Sequence, residues 1–161
     1  MTQEEKRLLL VDLCARLPYG VMVETYWEFK NKKEKTFPKT ILTHRMLGYY
    51  IGEEKWNYNT HFLPCLRSLS SMTDEEAMEV AELWGLEDIL SISVEENYIS
   101  VELCDGVSMS ETYTIWFNEI VASIKLFDWL NEHHFDYRGL IEMGLALPAT
   151  EEIYKEYYEK N

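Results

Sequence analysis

Cysteine is too scarce and wrongly spaced to organise this chain. Cys14, Cys65 and Cys104 are odd in number and form no CxxC pair. A disulfide framework or zinc knuckle is therefore excluded, and each reads as a small apolar residue in a reducing compartment. Long apolar runs are also missing: Leu8 to Val11 is typical of the longest, far below the roughly 20 residues that span a bilayer. The opening MTQEEKR is mixed in charge and lacks the basic start and apolar stretch of a secretory signal. The expectation is a cytoplasmic protein with no membrane association. Neither a P-loop nor GxGxxG occurs, so nucleotide binding lacks its usual cradle. HExxH and a glycine elbow around serine are absent too. With no repeat and no Pro/Gly/Ser-rich linker, the 161 residues read as a single domain, 1–161.

Basic residues are few beyond residue 72. Residues 1–72 hold 11 Lys/Arg and 8 Asp/Glu, a net of +3. Residues 73–161 hold 4 and 21, a net of −17, for a total of −14. Such a field repels phosphate, so direct nucleic-acid binding is disfavoured. It serves solubility, or it offers an acidic face to a basic partner, or it mimics nucleic-acid charge.

Apolar material is ample. Five Trp, eleven Tyr and six Phe suffice for a core, since each aromatic buries roughly 150–250 Å². Thr2 and Glu5 have capping-box spacing, predicting a helix over 3–16 with Leu10, Leu13, Cys14 and Leu17 as its buried stripe. Residues 21–29 alternate as a strand with one buried face. A basic loop at 30–35, a return strand over 39–51 and a short strand near 55–59 are expected next. Thr73 and Glu76 cap a second helix, stopped by Gly85. Residues 89–95, 98–104 and 110–117 alternate as an antiparallel meander, with Asp105-Gly106 as a hairpin turn. A largely buried helix is expected over 118–133, and short helices over 137–143 and 150–158, the last capped by Thr150. The pattern implies an α+β fold: a mainly antiparallel sheet of about five strands packed with N-terminal, central and C-terminal helices.

The one stretch dense in reactive groups is NEHHFDYRG. His133 and His134 are adjacent and diverge by about 100° on a helix, so they do not share a face as paired metal ligands do. Histidine also closes a helix C-terminus favourably. The candidate binding residues are His133, His134, Asp136, Tyr137 and Arg138. No catalytic residue, metal or cofactor is expected. His44, His61 and Cys65 form a looser group, and the aromatics of 49–58 suit core packing or stacking on a ligand. Ile153, Tyr154, Tyr157 and Tyr158 form a docking stripe, for the chain's own core or for a homodimer through Tyr157 and Tyr158.

Three blocks carry a resemblance: LLLVDLCARLPYGV at 8–21, LRSLSSMTDEE at 66–76 and DWLNEHHFDYRGLIEMGLAL at 128–147. In this order they resemble a family of small uncharacterised proteins of gut anaerobic bacteria and their phages or prophages. The blocks cover roughly a third of the chain, and the resemblance assigns no role to any residue. It implies a phage-linked cytoplasmic accessory protein with a host-interaction or anti-defence role. The function expected is a non-enzymatic protein-interaction module with an acidic C-terminal part and a protein partner. The alternative is a small-molecule or nucleotide-fragment binder, with a pocket near 133–138.

Overall fold

The computed structural model describes residues 1–29, 32–52, 59–96, 98–104, 110–116 and 124–160. Helices are interleaved with hairpin-built strands, and the α+β class holds. Contacts divide the chain, read from sequence as one domain, into two compact units. One is Met1–Arg67 with Gly139–Asn161; the other is Ser68–Arg138. The strands divide likewise, into a five-stranded and a three-stranded sheet.

The first unit begins with α1 (Gln3–Arg16). Its capping box forms: Glu5 N–H donates to Thr2 Oγ1 at 3.2 Å, and Thr2 N–H donates to the Glu5 carboxylate at 2.6 Å. The buried stripe is not the expected one. Leu9, Asp12, Leu13 and Arg16 face inward, while Cys14 is exposed. Asp12 and Arg16 lie one turn apart and form an ion pair, with Arg16 Nε 2.8 Å from Asp12 Oδ2 and both side chains at 0% exposure. A charged pair can therefore occupy the face that periodicity reserves for leucine.

Strand β1 (Met22–Phe29) pairs with β2 (Lys32–Thr36), β3 (Thr40–Ile41) and β4 (Asn59–Leu66), all antiparallel. β8 (Leu147–Pro148) joins β4 in parallel. One face, with Val23, Phe62 and Leu66, packs with Leu9 and Leu13. Met22 and Cys65 lie on the other with Tyr154 of α5 (Glu151–Lys160). The Tyr154 hydroxyl donates to the Cys65 carbonyl and accepts from Met22 N–H at 3.4 Å. Tyr154 thus docks α5 on the chain's own core. The side chains of Tyr157 and Tyr158 lie outside those described.

Two expectations are corrected here. Residues 32–36 are an edge strand rather than a loop; lysines suit an edge, where charge discourages further pairing. The return strand over 39–51 stops at Ile41, and α2 (His44–Gly52) follows. Thr43 caps it, accepting Met46 N–H at 3.3 Å on its hydroxyl and Leu47 N–H at 3.1 Å on its carbonyl. Leu47 is buried and Met46 packs against the same cluster. The start of the expected strand near 55–59, and of the aromatic set beyond Gly52, lies outside the described residues.

The second unit opens with α3 (Asp74–Trp84), whose capping box joins Thr73 and Glu76. β5 (Ile89–Val94), β6 (Tyr98–Cys104) and β7 (Ser110–Trp116) form the meander in strand order β5-β6-β7. The expected Asp105-Gly106 turn lies outside the described residues. α4 (Ile124–Glu132) buries Leu126, Trp129 and Leu130 with Ala77, Val80, Ile99, Val101 and Ile115. Each large side chain so buried contributes about 1.5–3 kcal/mol. The expected start of α4 near 118 lies outside the described residues, and Ile124 is 83% exposed rather than buried.

Removing one member of the α1 pair takes the ion-pair partner from a charge at 0% exposure. Asp12→Ala should lower stability by about 3–5 kcal/mol, and Asp12→Leu combined with Arg16→Met should recover most of that loss. Urea denaturation reads both. A double variant as unstable as the single one would contradict the account.

Candidate functional site

The histidine-rich stretch ends α4, and its groups turn back on the helix. His134 has φ 59, a left-handed conformation. Its N–H donates to Asn131 O at 3.2 Å, and Phe135 N–H donates to Leu130 O at 2.9 Å. These two bonds are the Schellman closure, which satisfies carbonyls that the last turn leaves open. Leu130 and Phe135 are both fully buried in the same cluster, the apolar contact that accompanies such closures. Glycine normally holds this position, as Gly85 does at the end of α3 with φ 92. Here a 6%-exposed histidine holds it.

The neighbouring side chains are similarly engaged. The His133 ring stacks on Trp129, with centroids 4.0 Å apart, and its Nδ1 lies 3.0 Å from Trp129 O. A carbonyl only accepts, so Nδ1 carries the proton. Trp129 Nε1 donates to Glu79 at 2.8 Å. Tyr137 donates to Asn131 Oδ1 at 3.0 Å, and Asn131 Nδ2 donates to Phe127 O at 2.9 Å. The Arg138 guanidinium lies 5.5 Å from the Phe127 ring centre and 4.9 Å from that of Tyr137, within cation–π range. Asp136 is buried. The five candidate residues therefore lie at and just after the closure of α4. Turns replace the short helix expected over 137–143; Gly139 and Gly144 take left-handed conformations there.

The second group, His44, His61 and Cys65, does not converge. His44 opens α2 and is exposed. His61 and Cys65 share one face of β4, four residues or about 13 Å apart. His61 has other neighbours. It stands opposite Tyr26 in the β1–β4 ladder, with ring centroids 4.8 Å apart and planes 14° apart, and Nε2 is 2.8 Å from Glu28 Oε2. Burial lowers the His61 pKa, partly offset by Glu28, and raises that of Tyr26. Burial likewise raises the Cys65 thiol, which makes it a poor nucleophile at neutral pH. This cluster was missed because its signal is cross-strand register, not sequence spacing. Among the described residues no group of three or more His, Cys, Asp or Glu is placed to hold a metal ion.

Charge divides along the boundary between the units. Ser68–Arg138 contains 16 Asp/Glu and 2 Lys/Arg, a net of −14; the other unit contains 13 of each, a net of zero. The acidic segment read as 73–161 is thus sharpened to one compact unit. It includes an open depression of about 510 Å³ lined by Met78, Leu86 and Ile89 and by Glu82, Glu87 and Asp88. No protein-family model, curated protein or solved structure matches the chain. No helix among the described residues is long and apolar enough to cross a membrane.

Two measurements check these geometries. His134→Gly should be more stable than His134→Ala by about 1 kcal/mol, because only glycine enters the left-handed region freely. The reverse order, normal for a helical position, would contradict the closure. As pH falls below 6.5, the ordinary histidine value, the unfolded chain takes up a proton before folded His61 does, so stability drops. The fall in urea midpoint between about pH 7.5 and 5.5 should be smaller in His61→Gln. An unchanged fall would show that His61 does not titrate in this way.

Proposed function

We propose that this chain is a non-enzymatic protein-interaction module whose acidic unit, Ser68–Arg138, takes a basic macromolecular partner. The observation that carries the reading is the charge division: −14 on one compact unit and zero on the other. A purely solubilising charge has no need to be confined to one half of the molecule. Confined charge instead steers oppositely charged partners and speeds their encounter. The resemblance of three sequence blocks to phage-linked proteins fits an accessory role in the cytoplasm of a bacterial host. Engagement of His133, Tyr137 and Arg138 with α4 and its neighbouring rings favours this reading over a small-molecule pocket at 133–138.

Poly-lysine should bind the protein at low salt and lose affinity steeply between about 20 and 300 mM NaCl, as the Debye length shortens. Duplex DNA should not bind. Neutralising Glu75, Glu95 and Glu111 to Gln should weaken binding more than neutralising Glu4, Glu142 and Glu156. Equal loss from the two sets, or binding insensitive to salt, would contradict the proposal.

A further inference from the structure

The three-stranded sheet exposes one edge whose chemistry selects a partner. β5 ends that sheet, paired only with β6 among the described residues. Its sequence, ILSISV, contains no charge and no proline, two of the devices that blunt an edge, and its one register shift, between Ile89 and Ser91, lies at its start. The contrast with β2, an edge strand carrying Lys32, Lys33 and Lys35, is internal to this molecule. Burial tells the same story. Ile99 and Val101 on the central strand are at 0% exposure. Val94 and Ile92, their β5 neighbours in the ladder, are only partly buried.

Hydrogen-bond direction along β5 follows from one bond. Glu95 N–H donates to Tyr98 O at 2.9 Å. In an antiparallel ladder, inward-bonded residues alternate. Ser93 and Ser91 therefore bond to β6, while the backbone groups of Val94 and Ile92 point to the open side. Among the described residues no strand pairs with that side, so a further strand would meet donors and acceptors there.

Acidic pairs flank the strand at both ends: Glu87 and Asp88 before it, Glu95 and Glu96 after it. All four are exposed. If a second copy added its own β5 in antiparallel fashion, these pairs would face each other at both ends, an arrangement that like charge opposes. A strand with cations at both ends meets carboxylates instead. The depression lined by Met78, Leu86, Ile89, Glu82, Glu87 and Asp88 adjoins the start of β5. It offers apolar surface to the stem of a lysine or arginine and carboxylates to its head.

We propose that β5 is a recognition edge for an extended peptide whose uncharged, alternating centre is bracketed by Lys or Arg. Asp88 and Glu95 are seven residues apart, and with Asp88 left-handed and a bulge after Ile89 their separation is under about 23 Å, which bounds the spacing of the two basic ends. This inference rests on the reading of Ser68–Arg138 as a module for basic partners and specifies the form such a partner takes.

The probe is a fluorescent ten-residue peptide with lysine pairs at both ends and alternating threonine and valine between. Fluorescence anisotropy should show binding, and at least a tenfold weaker Kd, about 1.4 kcal/mol, when alternate backbone nitrogens of the peptide are methylated. The variant Glu87→Lys/Glu95→Lys/Glu96→Lys should reject this peptide and accept its glutamate-ended counterpart. Val94→Pro, which removes an outward donor and leaves the inward ladder in place, should weaken binding by a similar factor. Equal affinity for the methylated peptide would overturn the edge inference. So would a β5 dimer that forms in the wild type and dissolves in Val94→Pro. If poly-lysine binds and this peptide does not, the edge inference alone fails; if neither binds, the acidic-module reading falls with it.

Discussion

Like-charge repulsion within Ser68–Arg138 is the constraint to which the rest of the structure answers. Sixteen carboxylates and two cations share 71 residues. No combination of internal ion pairs can neutralise them. Cohesion must come from apolar burial and satisfied backbone groups. The second unit supplies both: α3 and α4 bury their apolar faces with the inward side chains of β6 and β7, and both helices finish in the same hydrogen-bonded closure. The first unit, with no net charge, can place an ion pair at 0% exposure inside its core, where the second places aromatic and aliphatic groups.

Several reactive residue types make structural contacts. His133 stacks on Trp129, His134 takes the left-handed step that ends α4, and Arg138 lies against Phe127 and Tyr137. His61 is held between Tyr26 and Glu28 on a sheet face. Chemistry needs a reacting atom within reach of converging groups. Recognition needs a surface with a consistent sign and unfilled hydrogen-bonding capacity. In the proposed reading, the carboxylates of the acidic unit and the side of β5 that no described strand pairs with would serve the second requirement.

Local signals were legible in the sequence wherever local forces decide. Thr2 with Glu5 and Thr73 with Glu76 announce helix starts because the capping groups are three residues apart. The alternation of residues 89–104 announces strands because one face is buried. The misreadings have physical causes. Asp12 and Arg16 are charged, so periodicity of apolar residues passes over them, yet as an ion pair they lie on the buried face of α1. Residues 44–52 have strand-like composition, and the cap at Thr43 outweighs it. The lysines of β2 look like a loop because charge marks both loops and sheet edges. His134 could not be read as a left-handed closure, since glycine is the usual sign of one. The His61 cluster depends on register between β1 and β4, which no spacing within one segment encodes.

Amide hydrogen exchange measured at about 10 mM and about 150 mM NaCl tests the central claim most directly. Screening relieves repulsion between exposed like charges as the Debye length falls from about 30 Å to about 8 Å. Amides of Ser68–Arg138 should gain protection with salt, while those of Met1–Arg67 and Gly139–Asn161 should change little. Equal gains in both units, or none in Ser68–Arg138, would contradict the account.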